Sequence, residues 1–165
     1  MSGAPRLQET AVSPESRSLE NILVNERRHQ QQSVSLYGAK QAVVNAIWSL
    51  FGEHGHADWD GAGAEALDQG AVRFAIALID VLPENLPMPE VSVDPDGAVL
   101  LDWIANKHQS LTVSIDATGI IPYAWIDNGD RGHGVVRFDG ERCPKSLVRL
   151  ITDTTGTNDA SVWAA

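Results

Sequence analysis

The residues best suited to chemistry gather in H-G-H-A-D-W-D-G-A-G-A-E-A-L-D, His54 to Asp68. His54 and His56, two positions apart and followed by Asp58, could share a zinc ion on an extended loop. Gly61, Gly63 and Ala66 fit G-x-G-x-x-A, the turn that brings a helix N-terminus to a pyrophosphate. Asp60-Gly61 also matches the sharp turn of a calcium loop. That calcium loop would begin at His56 and end at Leu67, where a hard cation needs oxygen at both places. The dinucleotide turn needs a strand before it, whereas here a helical pattern runs into polar E-H-G-H-A-D. Zinc would lack a third strong ligand fixed by spacing. A structural turn accounts for the stretch better. Gly61 and Gly63 supply positive φ, Trp59 anchors the turn by packing, and Asp58 or Asp60 caps backbone N–H groups.

Cys143, the single cysteine, precedes Pro144 at the start of a helical pattern, between Arg142 and Lys145. A helix N-terminus and neighbouring cations stabilise a thiolate, and His133 could act as its base. No residue is placed by a recognisable local signature to orient that histidine, and a lone cysteine commonly packs as a small apolar residue. The R-G-H-G run at Arg131–Gly134 could hold an anion if it forms a loop tip, although such tips are more often only flexible. Asp94 with Asp96, and Asp127 with Asp130, fall in turn-forming stretches. Acid–base work needs one carboxyl desolvated beside an ionised neighbour, and exposed turns do not provide that. G-x-S-x-G, the Walker loop and H-E-x-x-H are all missing. The chain reads as more binding protein than enzyme, and no cofactor is expected.

Charge narrows the partners. The 165 residues carry a net charge of −10, unevenly spread. Between Leu36 and Asp130 only Lys40, Arg73 and Lys107 oppose fourteen carboxylates. From Arg131 to Arg149 five cations outnumber Asp139 and Glu141. Such a chain is repelled by phosphate backbones, so unaided nucleic-acid binding is not expected, whereas a basic protein would be attracted. A lone cysteine fits a reducing compartment. The N-terminus has no apolar signal region, and no apolar run reaches the ~20 residues of a membrane span. A cytoplasmic location is expected.

Several elements must position these groups. Residues 1–35, with R-R-H-Q-Q-Q-S, read as a polar arm; 36–152 form one domain; 153–165, with an isolated Trp163, form a polar tail. Leu36, Val43, Val44, Ile47, Leu50 and Phe51 recur at helical spacing up to about Gly52. A second helix is predicted from about Gln69 to Leu82, capped by Asp68 and stopped by Pro83. It is apolar around most of its circumference, so it must be covered on more than one side. After P-E-N-L-P-M-P-E the period becomes two, through E-V-S-V, A-V-L-L-D-W-I, S-L-T-V-S-I-D, G-I-I-P-Y-A-W-I and H-G-V-V-R-F. D-P-D-G and D-A-T-G suit tight hairpin turns, and Asp127–Gly132 reads as a longer, more mobile connection. Pro122 points to an edge strand or a bulge. A last helix has Pro144 in its first turn, with Leu147, Val148, Leu150 and Ile151 facing inward. Two N-terminal helices, an antiparallel meander of four to five strands and one C-terminal helix make an α+β fold. The helices then pack on one face of the sheet.

The open face of that sheet should be polar, and here it is not. Leu100 and Ile104 oppose Leu101 and Trp103, while Ile121, Tyr123 and Trp125 alternate with Ile120, Ala124 and Ile126. An apolar patch rimmed by Asp102, Asp116 and Asp127 suits a partner protein or a homodimer, unless an arm or tail of the chain covers it. Binding candidates are therefore Trp59, Asp60, Asp102, Tyr123, Trp125, Arg131 and His133.

The blocks W-D-G-A-G-A (Trp59–Ala64), A-L-I-D-V-L-P-E-N-L-P-M-P-E-V-S-V-D-P-D-G, V-L-L-D-W and T-V-S-I-D-A-T-G-I-I-P-Y-A-W occur in an order that resembles a group of small bacterial proteins of no established activity. These often carry W-D-G-Y-G-A. The resemblance covers about Asp58 to Ile151. Ala62 stands where that group has tyrosine, and Cys143 where an aliphatic residue is expected, which weakens its case as a nucleophile. The resemblance implies an α+β fold and no reaction. The function expected is that of a non-enzymatic, acidic interaction domain, in the manner of an antitoxin or immunity protein. The alternative is a small hydrolase or transferase using Cys143 with His133, or a metal at His54 and His56.

Overall fold

The computed structural model describes residue 35 and residues 37–157. Leu36, the tail from residue 158, and all of the expected arm except Ser35 lie outside them. The chain divides into two units, Met1–Tyr37 and Gly38–Ala165, and the second holds the sheet and its helices.

This second unit is α+β: two helices, then a five-stranded antiparallel sheet, then a third helix. Helix α1 covers 38–54. Helix α2 spans Gln69–Val81. Its cap is the one read from the sequence: the Asp68 carboxylate accepts from the N–H of Gly70 at 2.6 Å and of Ala71 at 3.1 Å. At its far end Lys40 of α1 donates to the carbonyls of Asp80 (2.9 Å) and Leu82 (2.7 Å), placing a cation on carbonyls the helix leaves unsatisfied. Only Arg73 and Asp80 carry charge on α2, and both are exposed. Ala71, Val72, Ala75, Leu78 and Ile79 are buried. Helix α3 spans Lys145–Thr155, following Pro144 as the sequence suggests; Pro144 keeps the extended backbone of a cap, and the helix closes on left-handed Gly156.

The strands run in sequence order across the sheet: β1 (Glu90–Val93), β2 (Val99–Asn106), β3 (Gln109–Ile115), β4 (Ile120–Asp127) and β5 (Asp130–Arg137). Alternation does what period two requires. Val99, Leu101, Trp103, Leu111, Val113, Ile115, Ile121 and Val136 are buried on one face, where α2 and α3 rest mainly on β2 and β3. Val43, Ile47, Leu147 and Ile151 join the same core. Trp103 is buried whole, and its indole N–H donates to the Pro87 carbonyl at 2.8 Å. No polar side chain is buried among the described residues.

Two sequence expectations are corrected. Asp127–Gly132 is not a long mobile connection: β4 and β5 pair from Asp127↔Asp130, leaving a two-residue turn. Asn128 (φ 48°) and Gly129 (φ 101°) both take positive φ, the tight hairpin geometry that Asn-Gly favours. Arg131–Gly134 therefore lies in a strand, and not at a loop tip. Pro122 does not mark an edge, because β4 lies between β3 and β5. The β3–β4 ladder instead ends at Val113↔Tyr123, one residue short of the proline that has no N–H to give. No helix among the described residues is long and apolar enough to cross a membrane.

The Asp68 cap satisfies two helix N–H groups that no backbone acceptor can reach. Replacing Asp68 with Ala should lower unfolding stability by about 1 kcal/mol in urea denaturation, with the slope unchanged.

Candidate functional site

The loop between α1 and α2 is built from its own polar groups. The Asp58 N–H donates to the Ala64 carbonyl at 2.7 Å, closing the loop on itself. The Asp58 carboxylate accepts from the Gly63 N–H at 2.8 Å. Asp60 accepts from two N–H groups, those of Ala62 (2.8 Å) and Ala64 (3.0 Å). These bonds, Ala62 first, hold the Asp60 carboxyl below its ordinary range even though it is fully exposed. Asp60 therefore favours the folded loop above the usual carboxyl pKa of 3.8, and that contribution is lost as pH falls through its lower folded value. Gly61 (φ 69°) and Gly63 (φ 94°) supply the backbone conformation the circuit needs, and Asp58 shares it at φ 59°.

Trp59 and His54 tie the loop down. The Trp59 indole donates to the Glu65 carbonyl at 2.9 Å, and its ring meets His54 edge-on with centroids 4.4 Å apart. His54 Nδ1 lies 3.0 Å from the Leu50 carbonyl, so that nitrogen carries its hydrogen and donates into α1. His56 is exposed. No three His, Cys, Asp or Glu side chains among the described residues are grouped to hold an ion. The loop also clasps the β1–β2 hairpin: Glu65 N–H donates to the Pro95 carbonyl at 2.8 Å, and Asp68 N–H to that of Gly97 at 3.0 Å. A Cβ on Gly97 would fall 2.7 Å from the Ala66 carbonyl oxygen. Trp59, Asp60 and Asp58 thus have structural partners, and what they position is the hairpin.

Cys143 and His133 are not brought together. Cys143 packs half-buried against the core and lines an open groove of about 480 Å³ with Arg137, Phe138 and Arg142, among others. No histidine lines that groove. His133 stands exposed on β5, four residues from Arg137, a separation of about 13 Å along a strand. Burial pushes the thiol up to about 11, against a smaller lowering by Lys40. The expected thiolate stabilisation at a helix start is outweighed by packing.

Tyr123 and Trp125 lie on the helix side of the sheet. They pair across the hairpin with Gly134 and Gly132. A Cβ at Gly132 would sit 2.6 Å from the Trp125 ring, and one at Gly134 2.5 Å from the Tyr123 hydroxyl. Each ring therefore lies flat over a glycine, covering the part of the dry face farthest from the helices. The sequence carries this signal as aromatics two apart facing glycines two apart, readable only once the hairpin register is known.

Asp102, Arg131 and His133 occupy the other face. The pairings set transverse rows there: Ile104–Ser110–Ile126–Arg131, and Glu90–Asp102–Thr112–Ala124–His133. Thr112 donates to Asp102 at 2.5 Å. Ile104 is 57% exposed, Ile120 39%, Ile126 50% and Val135 60%. This face gathers the exposed aliphatics with charge of both signs. No protein family, curated protein or solved structure matches the chain.

The rise of the Cys143 pKa from 9.0 to about 11 leaves about a hundredfold less thiolate near neutrality, so iodoacetamide should alkylate it about that much more slowly than the unfolded chain. For the same reason stability should hold below pH 9 and decline between 9 and about 11, where only the unfolded thiol ionises. Gly132→Ala should displace Trp125, costing about 1–3 kcal/mol and changing the near-UV circular dichroism, whereas Gly52→Ala, where a Cβ meets nothing within 4 Å, should leave that spectrum alone.

Proposed function

We infer that this chain is a non-enzymatic protein-interaction domain whose contact surface is the open face of the sheet. The observation that carries the reading is the set of exposed aliphatics, Ile104, Ile120, Ile126 and Val135, on one face of the sheet. A single-layer sheet in contact with water ordinarily carries polar residues there. Thr112 and Ser114 follow that rule, and the strands on either side do not. The surrounding chemistry supports binding over turnover: the thiol is held protonated, and the histidine loop is occupied by its own backbone.

The net charge of −10 favours a basic protein as a further partner, as for an antitoxin or immunity protein, meeting carboxylates elsewhere on the domain. A lone, thiol-form cysteine suits a reducing, cytoplasmic setting. The resemblance to small bacterial proteins carrying W-D-G-Y-G-A belongs to the same reading. Asp60, Gly61 and Gly63 of the block fold the loop, so sharing it implies a common architecture and no common reaction.

The full chain and its Ile126→Asp/Val135→Asp variant should differ in association, the variant losing self-association and copurifying protein while keeping its circular dichroism spectrum. Equal behaviour of the two would remove the open face as the contact surface.

A further inference from the structure

The open face is polarised across its width. At the β1–β2 side it carries Glu90 and Asp102, with Asp94 at the adjoining turn. At the β5 side it carries Arg131, His133 and Arg137, and the apolar residues Ile104, Ile126 and Ile120 lie between. A uniformly basic partner would confront the β5 cations, and a uniformly acidic one the β1 carboxylates. The face fits a surface of the same make-up turned round. A second copy has that make-up, and one particular two-fold axis turns it correctly.

We propose that two copies of this chain pack open face to open face, about a two-fold axis running along β3 parallel to the strands. This rests on the reading of that face as a contact surface. Such an axis places β5 of one copy over β1 of the other, and β4 over β2, while keeping each transverse row opposite itself. Glu90 then lies over His133 of the partner copy, within side-chain reach of Arg131. Ile104 meets Ile126. Ser110 and Thr112, small and polar, face their own counterparts on the axis. Aligned sheets cross at about −30° with about 10 Å between them, which keeps the central rows opposed and skews only the outermost.

The competing self-pairing is worse. An axis across the strands would lay β1 over β1 and β5 over β5, like charge on like. Five strands of four to eight residues, about 4.8 Å apart with about 3.3 Å per residue, offer roughly 550 Å² per copy, or about 1,100 Å² buried in total. That is near the lower limit for specific association, so a dimer of micromolar stability is expected.

Sedimentation equilibrium of the full chain across the micromolar range tests this. A monomer–dimer equilibrium is expected, with Ile126→Asp raising its Kd about tenfold or more. Glu90→Arg and Arg131→Glu should each weaken the dimer, and the double variant should regain most of what either loses. Circular dichroism confirms folding in each case, and these exposed positions tolerate change. A monomer at every concentration overturns the proposal, as does a dimer indifferent to Ile126→Asp or a charge reversal without rescue. If the purified chain stays monomeric but Ile126→Asp/Val135→Asp still loses a copurifying protein, the dimer is wrong and the contact surface stands. If neither association responds, both are wrong.

Discussion

The face of β2 and β3 that carries Leu101, Trp103, Leu111 and Val113 has to be kept out of water, and most of the domain is arranged to do so. Each fully buried side chain of this kind contributes about 1.5–3 kcal/mol, more than any one cap or turn. The helices do not rest evenly on the five strands: α2 and α3 contact mainly β2 and β3. Helices α2 and α3 cover the middle of the sheet, and the shortfall is met differently on each flank. Toward β1, the P-E-N-L-P-M-P-E segment returns under the sheet, with Leu86 buried and Pro87 accepting the Trp103 indole. Toward β5, Tyr123 and Trp125 lie down over glycines. A side chain at either glycine would collide with the ring that covers it.

The loop from His54 to Asp68 serves the same end by a different route. It must reverse the chain between α1 and α2 and also hold the turn of the first hairpin. Its backbone has no helical or sheet partners, so its N–H groups need acceptors, and the carboxylates of Asp58 and Asp60 provide them. A residue set resembling a metal or phosphate site arises from that need. Oxygen-rich side chains and positive-φ glycines are what an isolated loop requires, and they are also what ions and phosphates use. The difference lies in where the lone pairs point. In this loop they point inward, to Ala62, Gly63 and Ala64.

Much of the fold is legible in the sequence because local chemistry and tertiary packing agree. Asp68 caps α2 in either context, D-P-D-G and D-A-T-G turn as their residues dictate, and the alternation in β2 and β3 already sorts the two faces. Sequence misleads where one residue is weighed without its neighbour. Pro122 suggests an edge because a proline cannot donate, but a donor is dispensable where a ladder ends. Asn128-Gly129 is hidden within a longer polar run. Cys143 looks activated by its flanking charges because sequence does not show that the sulfur packs against the core. Tyr123 and Trp125 stand out as binding candidates because aromatics in an apolar strand look available, while the register places them on the helix side. The glycines that receive them are distant in sequence and become opposite only through the hairpin.

What remains unburied is a consequence of that economy. The dry face uses Ile121, Tyr123 and Trp125 of β4, so the alternating residues Ile120, Ala124 and Ile126 must face out, and a monomer in water would gain from threonine or serine there. β3 has made that choice, with Ser110, Thr112 and Ser114 between two strands that have not. Water contact with an aliphatic side chain is tolerated singly, but four such residues on one face are not scattered. Their charged flanks also differ in sign, acidic at one edge and basic at the other. Solubility alone would be served by either sign placed anywhere. Opposite signs on opposite edges of an apolar strip carry orientation as well as charge, and the proposed face-to-face pairing is the arrangement that would use both.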